Sequence, residues 1–273
     1  MFANLPQVTK NILILNIMFF VATLILESQG IDLISKLGTH YVNSPLFEPY
    51  QVVTHFFMHA GFFHILMNMW LFVMLGAYLE NLWGPKRFFI FYLACALGAF
   101  GLYNIFGVFE IESLKNQLLL EGYNLNNTNY LIFNNNSSEL IINELFKLGY
   151  SESRIESVLI DPKHNEILHN ALHSNPMYNY VIKNETPMVG ASGAIFGVLA
   201  AFAILFPNTE FRLYFAIPIK AKYFVGAYLL LEIYQAFVNQ TGDSTAHLAH
   251  IGGAIVGGAL VLIWRKTDRQ NFY

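Results

Sequence analysis

Six stretches of this chain are apolar almost throughout, and polar segments separate them: Asn11 to Leu26, Phe56 to Leu79, Phe88 to Phe109, Val189 to Phe206, Tyr223 to Val238, and Ala246 to Trp264. Crossing about 30 Å of hydrocarbon at about 1.5 Å per residue takes some twenty residues, so each stretch has the length of one transmembrane helix or falls a turn short of it. The first, with 16 residues, is at the short end, and its flanks are expected to add a turn. None shows the alternation of a barrel strand, and hydrocarbon offers backbone groups no other partner, so the expected class is an all-α polytopic membrane protein. No small-residue cleavage pattern follows the first stretch, which reads as a retained span.

Between the third and fourth stretches lies a polar insertion, residues 110–187. It holds Asn-rich tracts, Asn124 to Asn129 and Asn134 to Asn136, and a segment from Ser138 to Leu159 whose scattered apolar residues suggest two short amphipathic helices. The chain therefore reads as one membrane domain over residues 1–273 with this insertion between its third and fourth helices. Composition agrees: 55% of the 273 residues are hydrophobic and only 12% charged, against roughly a quarter in soluble domains. The formal charge of -3 gives no reason to expect a nucleic-acid partner. Cys95 is the single cysteine, so no disulfide framework or cysteine metal motif arises.

Charge also sets orientation. If six helices alternate, Lys10, Lys86, Arg87, Arg212, Lys220, Lys222, Arg265, Lys266 and Arg269 fall on one side, and the short loops of the other side carry only Lys36. The positive-inside rule then places both termini in the cytoplasm and the insertion outside, where its length exempts it from the rule.

Polar side chains within apolar helices are costly and need a reason. Gly190-Ala191-Ser192-Gly193 stands at the outer end of the fourth stretch. A serine at a helix start between glycines lets a substrate backbone approach and offers free N–H groups to a developing oxyanion. Taken alone the run reads first as helix packing, since Gly193 and Gly197 form a G-x-x-x-G pair. In the sixth stretch His250, Gly253 and Gly257 share one face. If the Gly193/Gly197 face packs there, Ser192 and His250 meet, and a serine hydrogen-bonded to a histidine is the minimal activated nucleophile. Asp243 is seven residues from His250 and reads as a helix cap rather than a third member. His64 and Asn68, at i and i+4 on the second stretch, could donate to an oxyanion. His55, His59 and His247 are open to a metal reading, against which stand the lack of H-E-x-x-H, of cysteine and of a nearby carboxylate. His247 is also a rival base.

On these residues the chain resembles the rhomboid family of intramembrane serine proteases: His64 and Asn68 as H-x-x-x-N, Gly190 to Gly193 as G-x-S-G, and Ala249 to Gly257 as A-H-x-G-G-x-x-x-G, in that order on the second, fourth and sixth helices. The resemblance covers roughly Asn11 to Phe109 and Val189 to Trp264. It implies a six-helix bundle whose fourth helix starts within the membrane at the floor of a water-filled cavity. It implies Ser192 as nucleophile and His250 as general base in a dyad without an acid, with His64, Asn68 and the Ser192 N–H as oxyanion hole. The implied partners are the lipid bilayer and membrane-protein substrates with a transmembrane helix, and no metal or organic cofactor is implied. A catalytically inactive relative that binds helices is the main rival, opposed by the presence of all four residues together. A small transporter would predict an inverted repeat, and none is visible.

Departures from the family pattern are Tyr50-Gln51 where Trp-Arg is common, which leaves the anchor of the first outer loop open, and Phe196 where a tyrosine often packs on the histidine. Glu80 resembles a structural glutamate expected to pair with Arg87 or a neighbouring loop. Glu232, mid-way along the fifth stretch, is a functional candidate because an intramembrane carboxylate is costly. It is expected to hydrogen-bond to the second or third helix, or to be protonated, with a gating role as the functional hypothesis. The family's organellar members usually carry an extra helix, so the compact plan without a transit peptide suggests a bacterial plasma membrane. Substrate identity and oligomeric state are not readable.

Overall fold

The structure is a computed structural model, described at residues 5–123, 125, 142, 146, 149–155, 176–213, 217–238 and 246–267. Nearly all of the Asn-rich tracts, most of Ser138 to Leu159, and Asp243 lie outside the described residues.

Helix α1 spans Gln7–Glu27, and the extra turn at its start supplies the length its apolar stretch lacked. The first N–H groups of any helix have no partner inside it. Here Glu80 takes them: its carboxylate accepts from Val8 N at 2.8 Å, Thr9 N at 2.7 Å and Thr9 Oγ1 at 2.7 Å. The glutamate expected to pair with Arg87 or a loop thus caps α1, an anionic group at a helix N-terminus, while the Arg87 guanidinium stacks over Trp264 at 4.5 Å.

Two short helices follow, α2 (Leu33–Leu37) and α3 (Gln51–Thr54), and a single 3-10 turn at His55–Phe57 leads toward the next span. Helix α4, Phe62–Trp83, passes through one π turn at Phe72–Gly76. The second span therefore begins six residues later than the apolar run beginning at Phe56 suggested. Gly84, at φ +81°, turns the chain into α5, Pro85–Leu120, with proline at the first helical position.

Helix α5 was expected to stop at Phe109. It continues to Leu120 because Ile111 and Leu118 extend its apolar face and are buried against Met177, Tyr180 and Val181 of α6, Pro176–Glu185. Lys183 Nζ and Glu110 Oε2, 2.8 Å apart, join the same two helices. At about 1.5 Å per residue α5 is about 54 Å long, well beyond the hydrocarbon thickness, so the first end of the insertion continues α5 and its last described part, α6, packs on that projection.

Helix α7, Ser192–Leu205, is the axis of the molecule: nearly every residue from Gly193 to Phe202 is buried. Pro207 lies just past its end, and a two-stranded antiparallel hairpin follows, β1 (Glu210–Leu213) with β2 (Ile217–Lys220), Phe211 opposite Ile219. This hairpin corrects the all-α expectation among the described residues. Its strands are four residues each, too short for periodicity to reveal. Helices α8, Ala221–Val238, and α9, His247–Thr267, complete the chain.

Helices α7 and α9 touch backbone to backbone. A Cβ on Gly253 would collide with the Gly193 carbonyl oxygen, and one on Gly257 would lie 2.6 Å from Gly197 Cα. Small residues permit this approach, which is how helices associate where no hydrophobic drive separates protein from lipid. Outward faces carry exposed apolar side chains such as Met18, Leu24, Phe63, Trp70, Leu230 and Ile263. Helices α1, α4, α5 and α9 are long and apolar enough to cross a membrane, and α7 is a shorter apolar helix. The protein is an integral membrane protein.

Candidate active site

The segment preceding α7 sets the position of Ser192. Thr39 and Met188 form an isolated antiparallel bridge, with N···O distances of 2.9 and 2.8 Å. Two residues later Gly190 N donates to the His55 carbonyl at 3.0 Å. Gly190 has φ +120°, a conformation side chains resist. A Cβ there would sit 3.0 Å from His64 Nε2 and 3.4 Å from Ser192 Oγ. The missing side chain thus leaves open a position about 3 Å from both a hydroxyl and a ring nitrogen, the place a reacting carbonyl oxygen would need.

His250, in the first turn of α9, brings Nε2 to 2.8 Å from Ser192 Oγ. The Gly193–Gly253 contact one turn deeper allows it. Phe196 lies against the imidazole face, ring centroids 4.2 Å apart and planes within 12°, so an aromatic ring without the hydroxyl does the packing.

His64 accepts a long hydrogen bond from Ala60 N at its Nδ1, 3.4 Å, which leaves its proton on Nε2, the nitrogen beside the open position. Asn68 Nδ2 donates to the His64 carbonyl at 2.8 Å, and a primary amide keeps a second N–H. Ser192, His250, His64 and Asn68 line one cavity of about 640 Å³ together with Gly190 and Phe196.

The other histidines divide. His55 bonds through Nδ1 to the Gln51 carbonyl at 2.7 Å, and His59 meets the His64 ring edge-on at 5.0 Å. The anchor left open by the Tyr50-Gln51 departure is Gln51 itself. It is buried, donates from Nε2 to Lys36 O at 3.2 Å and Leu46 O at 3.1 Å, and accepts His40 N at 3.2 Å. One amide thus ties together three points of the segment between α1 and α4. Burial holds the neighbouring His40 imidazole below its ordinary value, partly offset by its contact with Gln51.

Glu232 departs most from expectation. Its partners lie on α9 and not on the second or third span: Oε2 is 2.8 Å from His250 Nδ1 and 2.7 Å from His247 Nδ1. A carboxylate therefore stands behind the histidine where none was expected. Glu232, His247 and His250 are separated by a loop and share no motif spacing. The one available signal was a glutamate in an apolar helix facing a histidine pair at i and i+3. These three residues are also the group among the described residues that could hold a cation, their ligand atoms lying within 4.8 Å of one another. His55 and His59 are not part of it.

Fold and site together define an integral membrane protein of packed apolar helices with a serine–histidine pair lining a cavity. A family model described as the Rhomboid domain matches residues 46–110 and 167–267, so the chain belongs to the rhomboid family. The match includes the end of the insertion, residues 167–187, and does not reach α1. An uncharacterized mitochondrial rhomboid protein of Schizosaccharomyces pombe is 34% identical over 113 residues. That similarity covers 37% of this chain and 29% of the relative, so it spans under a third of the relative's length.

Proposed function

We propose that this chain is an intramembrane serine endopeptidase that cuts transmembrane segments of other membrane proteins. The observation that carries the reading is the 2.8 Å contact between Ser192 Oγ and His250 Nε2 in a cavity shared with His64 and Asn68. Membership of the rhomboid family supports it.

The chemistry follows from the geometry. His250 Nε2 takes the Ser192 hydroxyl proton as Oγ attacks the scissile carbonyl carbon, and the carbonyl π pair moves onto oxygen. That oxyanion occupies the space above Gly190, within reach of His64 Nε2–H, with the second amide hydrogen of Asn68 and the Ser192 N–H as further donors of the same cavity. Collapse breaks the C–N bond, and the proton on Nε2 passes to the leaving amine. Water then adds to the acyl carbon, giving one proton to Nε2. The ester C–Oγ bond breaks and Ser192 recovers that proton. Each donor removed from an oxyanion hole costs on the order of 100-fold in kcat.

Helix α7 has 14 residues, about 21 Å against about 30 Å of hydrocarbon. Ser192, at its outer end, then lies below the membrane surface at the foot of the cavity. The basic residues at one set of loops put both termini on the cytoplasmic side, with α1, α4, α5, α7, α8 and α9 as the six spans. A bacterial plasma membrane is the proposed location, and the relative of Schizosaccharomyces pombe, being mitochondrial by its name, does not support it.

The test is cleavage of a single-pass model substrate in liposomes by the wild type, Ser192→Ala and His250→Ala. Cutting within or beside the transmembrane segment by the wild type alone is expected. An inert wild type across several substrates would overturn the reading in favour of a helix-binding relative without activity, and cutting by His250→Ala would move the base to His247.

A further inference from the structure

Resting on that reading, we propose that Glu232 is a positioning residue of the active site: through His250 Nδ1 it completes a serine–histidine–glutamate relay, with His247 holding the carboxylate in place.

To accept the Ser192 proton, His250 Nε2 must be unprotonated, so the neutral ring carries its proton on Nδ1. A buried N–H needs an acceptor, and without one the ring is free to take the other tautomer, which cannot act as base. Glu232 Oε2, 2.8 Å from Nδ1, is that acceptor. Once Nε2 has taken the proton the imidazole is a largely buried cation, and a carboxylate in contact with its far side stabilises it there.

The arrangement also answers why a glutamate persists in an apolar helix. Glu232, His247 and His250 are all buried, at 3%, 9% and 8% exposure, and a buried carboxylate without donors is strongly unfavourable. Two ring nitrogens converge on one oxygen, at 2.7 Å and 2.8 Å, and a single oxygen so placed is a double acceptor. His247 sits one turn from His250 on the same helix, so the carboxylate clamps the first turn of α9 from the side of α8. Both histidines are needed for the clamp, but only His250 reaches Ser192.

The distances favour this over a cation site. Zinc bonds imidazole nitrogen and carboxylate oxygen at about 2.0 to 2.2 Å, and at a tetrahedral angle that holds N and O about 3.3 Å apart. The observed separations are half an ångström shorter, at the length of a direct N–H···O bond to a charged acceptor.

The experiment uses the full chain in liposomes and compares Glu232→Gln and Glu232→Asp with the wild type, with Ser192→Ala as blank. Two activities are read: the second-order rate of Ser192 labelling by a fluorophosphonate, and kcat and KM on a single-pass substrate. In Glu232→Gln the amide can donate to Nδ1 and fix the wrong tautomer, so labelling and kcat are expected to fall together by at least about 10-fold with KM unchanged; the same loss of orientation costs about 10⁴-fold in a soluble triad. Glu232→Asp is expected to recover part of both. Labelling at the wild-type rate with slower substrate cutting would overturn the proposal and make Glu232 a gate contact. Unchanged values in both assays would overturn it outright, and loss of wild-type labelling on chelation would replace it with a metal site.

A second measurement requires no variant at Glu232. In the wild type labelled with ¹⁵N-histidine, the signal that disappears in His250→Ala is expected to show the tautomer protonated at Nδ1, and protonation at Nε2 in the resting enzyme would refute the relay. Failure of the protease reading looks different: the wild type itself would then be neither labelled nor active.

Discussion

Gly253 offers the sharpest test of how packing sets the chemistry. An alanine Cβ there would collide with the Gly193 carbonyl oxygen and stand 2.7 Å from the Gly193 carbonyl carbon. Comfortable carbon–carbon contact is about 3.5 to 4.0 Å, so α7 and α9 must part by about 1 Å at this level. Ser192 directly precedes Gly193, and His250 lies one turn from Gly253, so the 2.8 Å Oγ···Nε2 bond would open to a distance no hydrogen bond spans. A misplacement of about 1 Å costs about 100-fold in rate, and overpacking of this kind costs about 1 to 3 kcal/mol of stability. Gly258 supplies the control within the same helix: a Cβ there would meet Ile204 Cδ1 at 3.5 Å, an ordinary contact, and alanine is the better helix former by about 1 kcal/mol.

The assay is fluorophosphonate labelling of Ser192 together with thermal unfolding in detergent. Gly253→Ala is expected to label about 100-fold more slowly while Gly258→Ala labels at the wild-type rate with an equal or higher midpoint. Wild-type labelling by Gly253→Ala would refute the idea that close backbone approach sets the Ser–His distance. Equal losses in both variants would show that α9 tolerates no added methyl group, whatever its contacts.

Two further outcomes follow from the polar anchors. Glu80→Ala leaves the Val8 and Thr9 N–H groups and the Thr9 hydroxyl without their acceptor, so stability is expected to drop by about 3 to 5 kcal/mol; a thermal midpoint within a degree of the wild type would count against the cap. His40 is held below its ordinary value by burial, so on acidification the unfolded chain binds a proton before the folded one does. Its contribution to stability is complete above the ordinary histidine value and is lost as pH falls below it, by up to about 1.4 kcal/mol per pH unit. His40→Gln is expected to flatten the acid side of a stability–pH curve, and an unchanged slope would place the sensitivity elsewhere.

What the sequence made legible and what it did not differ in kind. A membrane span is a property of one continuous segment; each of the six apolar stretches overlaps a helix, and four of those helices are long and apolar enough to cross a membrane. The limits of those helices depend on neighbours: α5 runs to Leu120 because α6 covers Ile111 and Leu118, and α4 starts late because a separate 3-10 turn at His55–Phe57, whose His55 carbonyl accepts from Gly190 N, precedes it. The glycines of α7 and α9 suggested two faces that could meet, and through them the pairing of Ser192 with His250. Spacing within a helix carried that information. No spacing relates Glu232 to His250, or Gln51 to Lys36, Leu46 and His40, since those bonds join segments whose relative placement only the packed bundle determines.

A common physical rule still connects the unforeseen cases. Three polar groups buried in or beside this bundle are matched by donors on another element: Glu80 by the start of α1, Asn104 by Val42 N at 2.9 Å, Glu232 by the start of α9. Two of these three partners are first-turn groups of another helix, where backbone or side-chain donors are unclaimed by the helix itself. A carboxylate inside an apolar stretch is therefore best read together with the helix starts it could reach. By that rule Glu232 points to the His247–His250 turn, and its location on α8, a different helix from both Ser192 and His250, makes the relay depend on α8 remaining packed against α9.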